Sequence, residues 1–185
     1  MPRAGLSGTN WTGKTETIRR FAKEHPELSI KTVSLASLVA RCPFPMRERQ
    51  TLEGSRWMIE QVRDICKEAG TEIQLFDRTP VDILAFTLYV ENRTGNGNTT
   101  VLEDALELVK CFEILFYLPV SDKWPVNASA NQRRIQFARQ MDSYIRKAIE
   151  QFSLDVVSLP WDRAERQRLL SEHLSGLPIV CKGGR

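Results

Sequence analysis

The octapeptide Gly8-Thr9-Asn10-Trp11-Thr12-Gly13-Lys14-Thr15 satisfies G-x-x-x-x-G-K-[ST] at every position, and it constrains the fold more than any other stretch of the chain. Such a loop works only where a strand delivers the backbone to it and a helix carries the backbone away. The glycines let the chain curl so that successive N–H groups converge on a phosphate. In that geometry Gly8, Thr9, Asn10, Trp11, Thr12 and Gly13 wrap the phosphate, and Lys14 reaches its outer oxygens. The Thr15 hydroxyl is placed to hold Mg²⁺, and the helix N-terminus through Glu16 adds its positive dipole end. That helix is legible: Ile18, Phe21 and Ala22 form an apolar stripe, with Arg19, Arg20, Lys23 and Glu24 on the other face. The strand before the loop is thin, with only Ala4 and Leu6 apolar between Pro2 and Ser7.

The rest of the chain repeats the alternation that the loop demands. Strands are expected at Leu28–Ser34, Glu72–Phe76, Phe112–Leu118 and Asp155–Leu159. The third of these is nearly continuous in apolar residues, as suits a central parallel strand covered on both faces. Helices are expected from Leu35 to Val39, around Trp57–Cys66 up to Gly70, from Pro80 to about Glu91, over Val101–Lys110, Gln132–Phe152 and Asp162–Leu174. Asn92–Thr100, rich in asparagine and glycine, is expected to be a flexible loop, and Ser175–Arg185 a tail. Five strands alternating with helices predict an α/β, three-layer fold: a five-stranded parallel sheet with helices on both faces. Ligands in such folds bind beyond the carboxyl ends of the strands.

With 185 residues, a single domain spanning 1–185 is expected. Apolar residues make up 42% and charged residues 26%, the proportions of a soluble globular protein, and a net charge of +3 is too mild to argue for a nucleic-acid partner or to exclude one. No apolar run approaches the roughly 18 residues of a membrane span, so no membrane association is expected. Four cysteines without a C-x-x-C pair, and only two histidines, argue against zinc and for reduced thiols in a cytoplasmic protein.

Asp77 is the second anchor. It ends an apolar strand, where a carboxylate can hold Mg²⁺ or accept a proton from a substrate hydroxyl; the alternative is a cap on the helix that starts at Pro80. Arg78 can take a substrate anion in two-point geometry, or pair with Asp82 one helical turn on. A basic insertion at about 40–57, holding Arg41, Arg47, Arg49 and Arg56, lies between the second and third strands, where an acceptor would enter; singly, each is equally a solvated surface charge. A lid is expected over about 121–139, with Arg133 and Arg134 delivering cations to a transferring phosphate and Arg139 one turn further on.

The loop, Phe76-Asp77-Arg78-Thr79-Pro80-Val81-Asp82 and Phe116-Tyr117-Leu118-Pro119 together resemble the nucleoside- and nucleotide-kinase-like proteins. The likeness covers nearly the whole chain and is greatest to the AAA-type ATPase group that contains the ribosylnicotinamide-kinase domain of bifunctional NAD regulators. The resemblance implies ATP with Mg²⁺ as phosphoryl donor, held by Gly13, Lys14 and Thr15. It implies Asp77 at the metal or the acceptor hydroxyl, Arg78 at the acceptor, and Arg133 or Arg134 in the lid. It also implies an adenine near Leu159-Pro160-Trp161-Asp162, with Trp161 stacking on the base. Trp11, bulky inside the loop, is expected to narrow or cover the phosphate site. The expected activity is ATP-dependent phosphoryl transfer to a nucleoside, a nucleotide or a similar small metabolite. A nucleotide-binding regulatory ATPase with a protein partner, and a kinase whose acceptor lies on a nucleic acid, are the alternatives.

Overall fold

The structure is a computed structural model that describes residues 1–97, 99–121 and 131–177. Its five strands are β1 (Arg3–Ser7), β2 (Ile30–Ser34), β3 (Ile73–Asp77), β4 (Ile114–Tyr117) and β5 (Val157–Ser158). They form one parallel sheet in the order β2-β3-β1-β4-β5, as the alternation of elements predicts. The helices are α1 (Lys14–Glu24), α2 (Leu35–Val39), α3 (Leu52–Lys67), α4 (Pro80–Thr94), α5 (Thr99–Val109), α6 (Gln132–Gln151) and α7 (Arg163–Leu174).

Side chains alternate across each strand, so each sheet face builds its own core. Ala4, Leu6, Leu75, Phe116 and Leu118 pack with Ile18 and Phe21 of α1 and Leu170 and Leu174 of α7. Phe76, Leu115 and Tyr117 face the opposite layer, built from α2 to α6. No helix among the described residues is long and apolar enough to cross a membrane.

The strand that reads as weakest sits in the middle of the sheet. A side chain at Gly5 would come within 2.6 Å of Thr79 Cγ2 and 3.0 Å of Phe76 Cβ. The strand is therefore poor in apolar residues because the start of α4 packs directly onto its backbone. Several boundaries move. A short 3₁₀ turn takes Pro26–Leu28, so β2 begins at Ile30 rather than Leu28. α3 begins at Leu52, inside the basic insertion and ahead of the expected Trp57, because Thr51 caps it by accepting from the Gly54 N–H. α4 runs to Thr94, with Gly95 at φ 70 ending it, and α5 starts at Thr99, so most of the flexible loop expected over 92–100 is helix. Residues 122–130 of the expected lid and 178–185 of the tail lie outside the described residues.

Candidate active site

β1 ends at Ser7 and α1 begins at Lys14, so the octapeptide is the turn between the central strand and the first helix. Gly8 has φ 148 and Gly13 has φ 90. Lys14 is buried, and its ammonium turns back on the loop, donating to the Thr9 carbonyl at 2.7 Å and to Thr12 Oγ1 at 3.3 Å. Burial, and after it the nearby Arg78, pull the Lys14 pKa from 10.5 down to about 7, while Asp82 and Asp77 act in the other direction. Trp11 adopts φ 63, an unusual backbone for a bulky residue, stands 40% exposed and lines two of the hollows at the loop.

The Thr15 hydroxyl donates to Asp77 Oδ2, across from the end of β3. Asp77 is therefore beside the loop and is not the cap of α4. That cap is Thr79, in a capping box with Asp82: the Val81 N–H donates to the Thr79 hydroxyl and the Thr79 N–H to Asp82 Oδ2 at 3.0 Å. Arg78, at φ 77, pairs with Asp82 Oδ1 at 3.2 Å and donates to Asn10 Oδ1 at 2.6 Å. The ion pair with Asp82 is present, and the guanidinium that it fixes lines the cleft. Asp82 is one residue that sequence reasoning left out of the site, and the T-x-x-D spacing was the signal that could have found it.

Three hollows meet at the loop. The middle one is bounded by Lys14, Thr15, Glu16, Asp77 and Arg78. On one side it adjoins a polar hollow between α1 and α7, lined by Trp161, Arg163, Arg166 and Gln167, and the two share Trp11, Gly13 and Glu16. Trp161, beside which an adenine was expected, lines this hollow and donates an Nε1–H bond of 2.9 Å to the Pro119 carbonyl. On the other side the middle hollow adjoins an apolar one, and these two share Asn10, Ala36 and Arg78. Its walls are Leu35, Val39, Met46, Ile83, Phe86 and Phe137.

The arginines of the insertion are not gathered there. Arg47 lines the apolar hollow, whereas Arg41, Arg49 and Arg56 are exposed and line none of the three. Arg133 lies 3.6 Å from Glu48 Oε2, Arg134 is exposed, and neither lines a hollow at the loop. Arg139 lines a separate depression with Asp142 and Arg146. Gln50, Phe86, Phe137 and Arg166 were missed; they come from separate segments and share no motif.

The arrangement has the hydroxyl and carboxylate that a hard cation takes, and one carboxylate is enough for Mg²⁺, which normally completes its shell with phosphate and water. Among the described residues no three His, Cys, Asp or Glu side chains gather into a metal cluster, so Thr15 and Asp77 are the residues that would hold it.

No curated protein matches the chain. Among solved structures it is similar to deoxyadenosine kinase from M. mycoides, with 16% identity, TM-score 0.63 and coverage of 94% of this chain and 98% of that one. It is also similar to thymidylate kinase from Ehrlichia chaffeensis (13% identity, TM-score 0.64, 91% and 98% covered). Thymidylate kinase from Candida albicans is similar as well (13%, 0.59, 94% and 91%). At these identities the likeness establishes a shared fold, that of the phosphate-loop kinases. A family model described as an AAA domain matches residues 3–167, most of the chain, and the protein belongs to that family.

Proposed function

We propose that the protein is an ATP-dependent phosphotransferase acting on a nucleoside, a nucleotide or a similar small metabolite. The observation that carries this reading is the pair of hollows that open onto one phosphate loop from opposite sides. A nucleoside triphosphate lying from the Trp161 side toward Lys14 points its terminal phosphate at Asp77 and Arg78. A second molecule in the apolar hollow meets that phosphate at the same two residues. A hydrolytic switch has no need of the second hollow.

Each residue has a role in that reading. Lys14 exchanges its bonds to Thr9 and Thr12 for the outer phosphate oxygens and offsets the charge that spreads over the transferred group. Asp77 accepts the proton of the acceptor hydroxyl or holds the metal with Thr15. Bound Mg²⁺ supplies charge neutralisation at the phosphates. Arg78, braced by Asp82 and Asn10, orients the acceptor. Arg133 and Arg134 belong to a lid that closes over the transferring phosphate and excludes water. The finer version, a ribosylnicotinamide-type acceptor, rests on the resemblance of the motifs, and the apolar walls suit the flat ring of such a molecule. Nucleoside kinases and nucleotide kinases of this fold both match the chain, which supports the range of acceptors and not one member of it.

The test is acceptor dependence. ATP consumption by the purified protein is expected to rise severalfold with at least one member of a panel of nucleosides and nucleotides, with a phosphorylated product. Turnover that stays the same across the panel would remove the kinase reading and leave the ATPase.

A further inference from the structure

Arg166 on α7 is only 5% exposed, yet no carboxylate pairs with it among the described residues. Two other buried charges have ion-pair partners, whereas Lys14, like Arg166, is held by neutral oxygens. Asp82 has Arg78, and Asp142 has Arg146. A buried arginine is ordinarily paired, because a desolvated charge without a counterion is unfavourable by several kcal/mol.

The side chain is held in place by neutral oxygens instead. Nε donates to the Pro160 carbonyl at 3.1 Å and Nη1 to Thr17 Oγ1 at 2.9 Å, and the guanidinium carbon stands 5.8 Å from the Trp161 ring centre. Thr17 is itself anchored by donating to the Gly13 carbonyl at 2.8 Å. A methyl group at Gly13 would lie 3.3 Å from Arg166 Nη1, so the guanidinium sits against the phosphate loop and lines the polar hollow. Nη2 has no hydrogen-bond partner among the described residues. Burial, and after it the neighbouring Arg163, hold the Arg166 pKa below its ordinary value, with Asp162 acting against them; a guanidinium still keeps its charge.

From this geometry we infer that Arg166 is a second, preformed anion receptor, which takes the phosphate next to the ribose of the nucleotide lying between Trp161 and the phosphate loop. The inference rests on the reading that a nucleotide occupies this loop. It divides the phosphate chain between two cations: Lys14 for the outer phosphates, which change during transfer, and Arg166 for the inner one, which does not. Its consequence is affinity for mononucleotides as well as triphosphates. The missing counterion arrives with the ligand, and the neutral bonds to Pro160 and Thr17 keep the guanidinium aimed until then.

The experiment compares binding of adenosine, AMP and ATP to the full chain by calorimetry, for the wild type, Arg166→Met and Arg166→Lys, with ligand-free thermal melts of each. The wild type should prefer AMP over adenosine, and Arg166→Met should weaken AMP and ATP at least tenfold while changing adenosine less than twofold. Arg166→Lys keeps the charge but loses the planar fork, and should cut the AMP preference at least threefold; it carries the test if the methionine variant melts below the assay temperature. Equal loss for adenosine and AMP would make Arg166 a packing or base contact and overturn the inference, as would an unchanged AMP preference. A wild type that binds none of the three would remove the nucleotide reading itself, and the inference with it.

Discussion

The two hollows beside the phosphate loop are made from different materials. The one between α1 and α7 carries Arg20, Arg163 and Arg166 against a single acid, Glu16. The one under α2, α4 and α6 is walled mainly by aliphatic and aromatic side chains, and of its two cations, Arg47 and Arg78, the second is already bound to Asp82. On the proposed function, the first would recognise charge and the second shape. The acceptor side was expected to be the cationic one, since its sequence is rich in arginine, yet three of those arginines point to solvent. The difference teaches where binding energy for each ligand comes from: phosphates on one side, a desolvated ring or chain on the other.

The largest effect should come from the residue common to both ligands' chemistry. Lys14→Ala is expected to lower ATP turnover by about a hundredfold or more, the usual scale for removing a preorganised charge from a developing anion. Steady-state kinetics with and without acceptor check it, and turnover like that of the wild type would break the comparison at its centre.

Next comes pH. The Lys14 pKa of about 7 in the free protein rises once phosphate oxygens surround the ammonium, so binding takes up a proton above that pH. Nucleotide affinity should be flat below about pH 7 and weaken by up to about tenfold per unit above it. Calorimetry in buffers of different ionisation enthalpy reads the proton directly. The stability of the free protein has the opposite sign. Between about 7 and 10.5 the unfolded chain binds this proton and the folded chain does not, so the Lys14 contribution favours folding as pH rises through that window. A Lys14→Met variant should lack both slopes.

Asp77→Asn keeps the shape and removes the charge. ATP should still bind, while phosphoryl transfer falls at least tenfold, about 1.4 kcal/mol of barrier. Undiminished transfer would reduce Asp77 to a partner of the Thr15 hydroxyl and leave the acceptor side without a base.

Lys14 and Asp77 were legible because each belongs to a short motif: the loop, and an acid at the end of an apolar strand. The fold was legible for a related reason. A run such as Phe112–Leu118 suits a strand buried on both faces, and the turn-and-helix rhythm then sets the sheet parallel. β1 escaped that logic, because Gly5 is there to admit the Thr79 methyl and not to pack a side chain of its own. Arg166 escaped it too. Within Arg163–Leu174 it reads as one more charge on a solvated face, and only the contact of α7 with α1 buries it. The walls of the apolar hollow come from α2, residues 46–50, α3, α4 and α6, and no spacing rule connects segments so far apart.

That hollow supplies the smallest and most selective prediction. Phe137 on α6 and Phe86 on α4 face each other with ring centres 6.2 Å apart at 49°, and both line the cavity. Phe137 also meets Tyr89 edge-on at 5.6 Å, but it is only partly buried, so its truncation should leave the fold intact. Phe137→Ala removes one aromatic wall, a contact of about 1 kcal/mol, and should raise the acceptor KM by about fivefold. Binding of ATP in the polar hollow should not move, because no atom of Phe137 lines it. Phe137→Leu restores apolar bulk without the ring. If the acceptor carries a flat heteroaromatic body, leucine should recover less than half of the lost affinity, and if it is merely apolar, nearly all of it. An acceptor KM that is indifferent to both variants would place the acceptor elsewhere, and the division of labour between the two hollows would fail on the side that recognises shape.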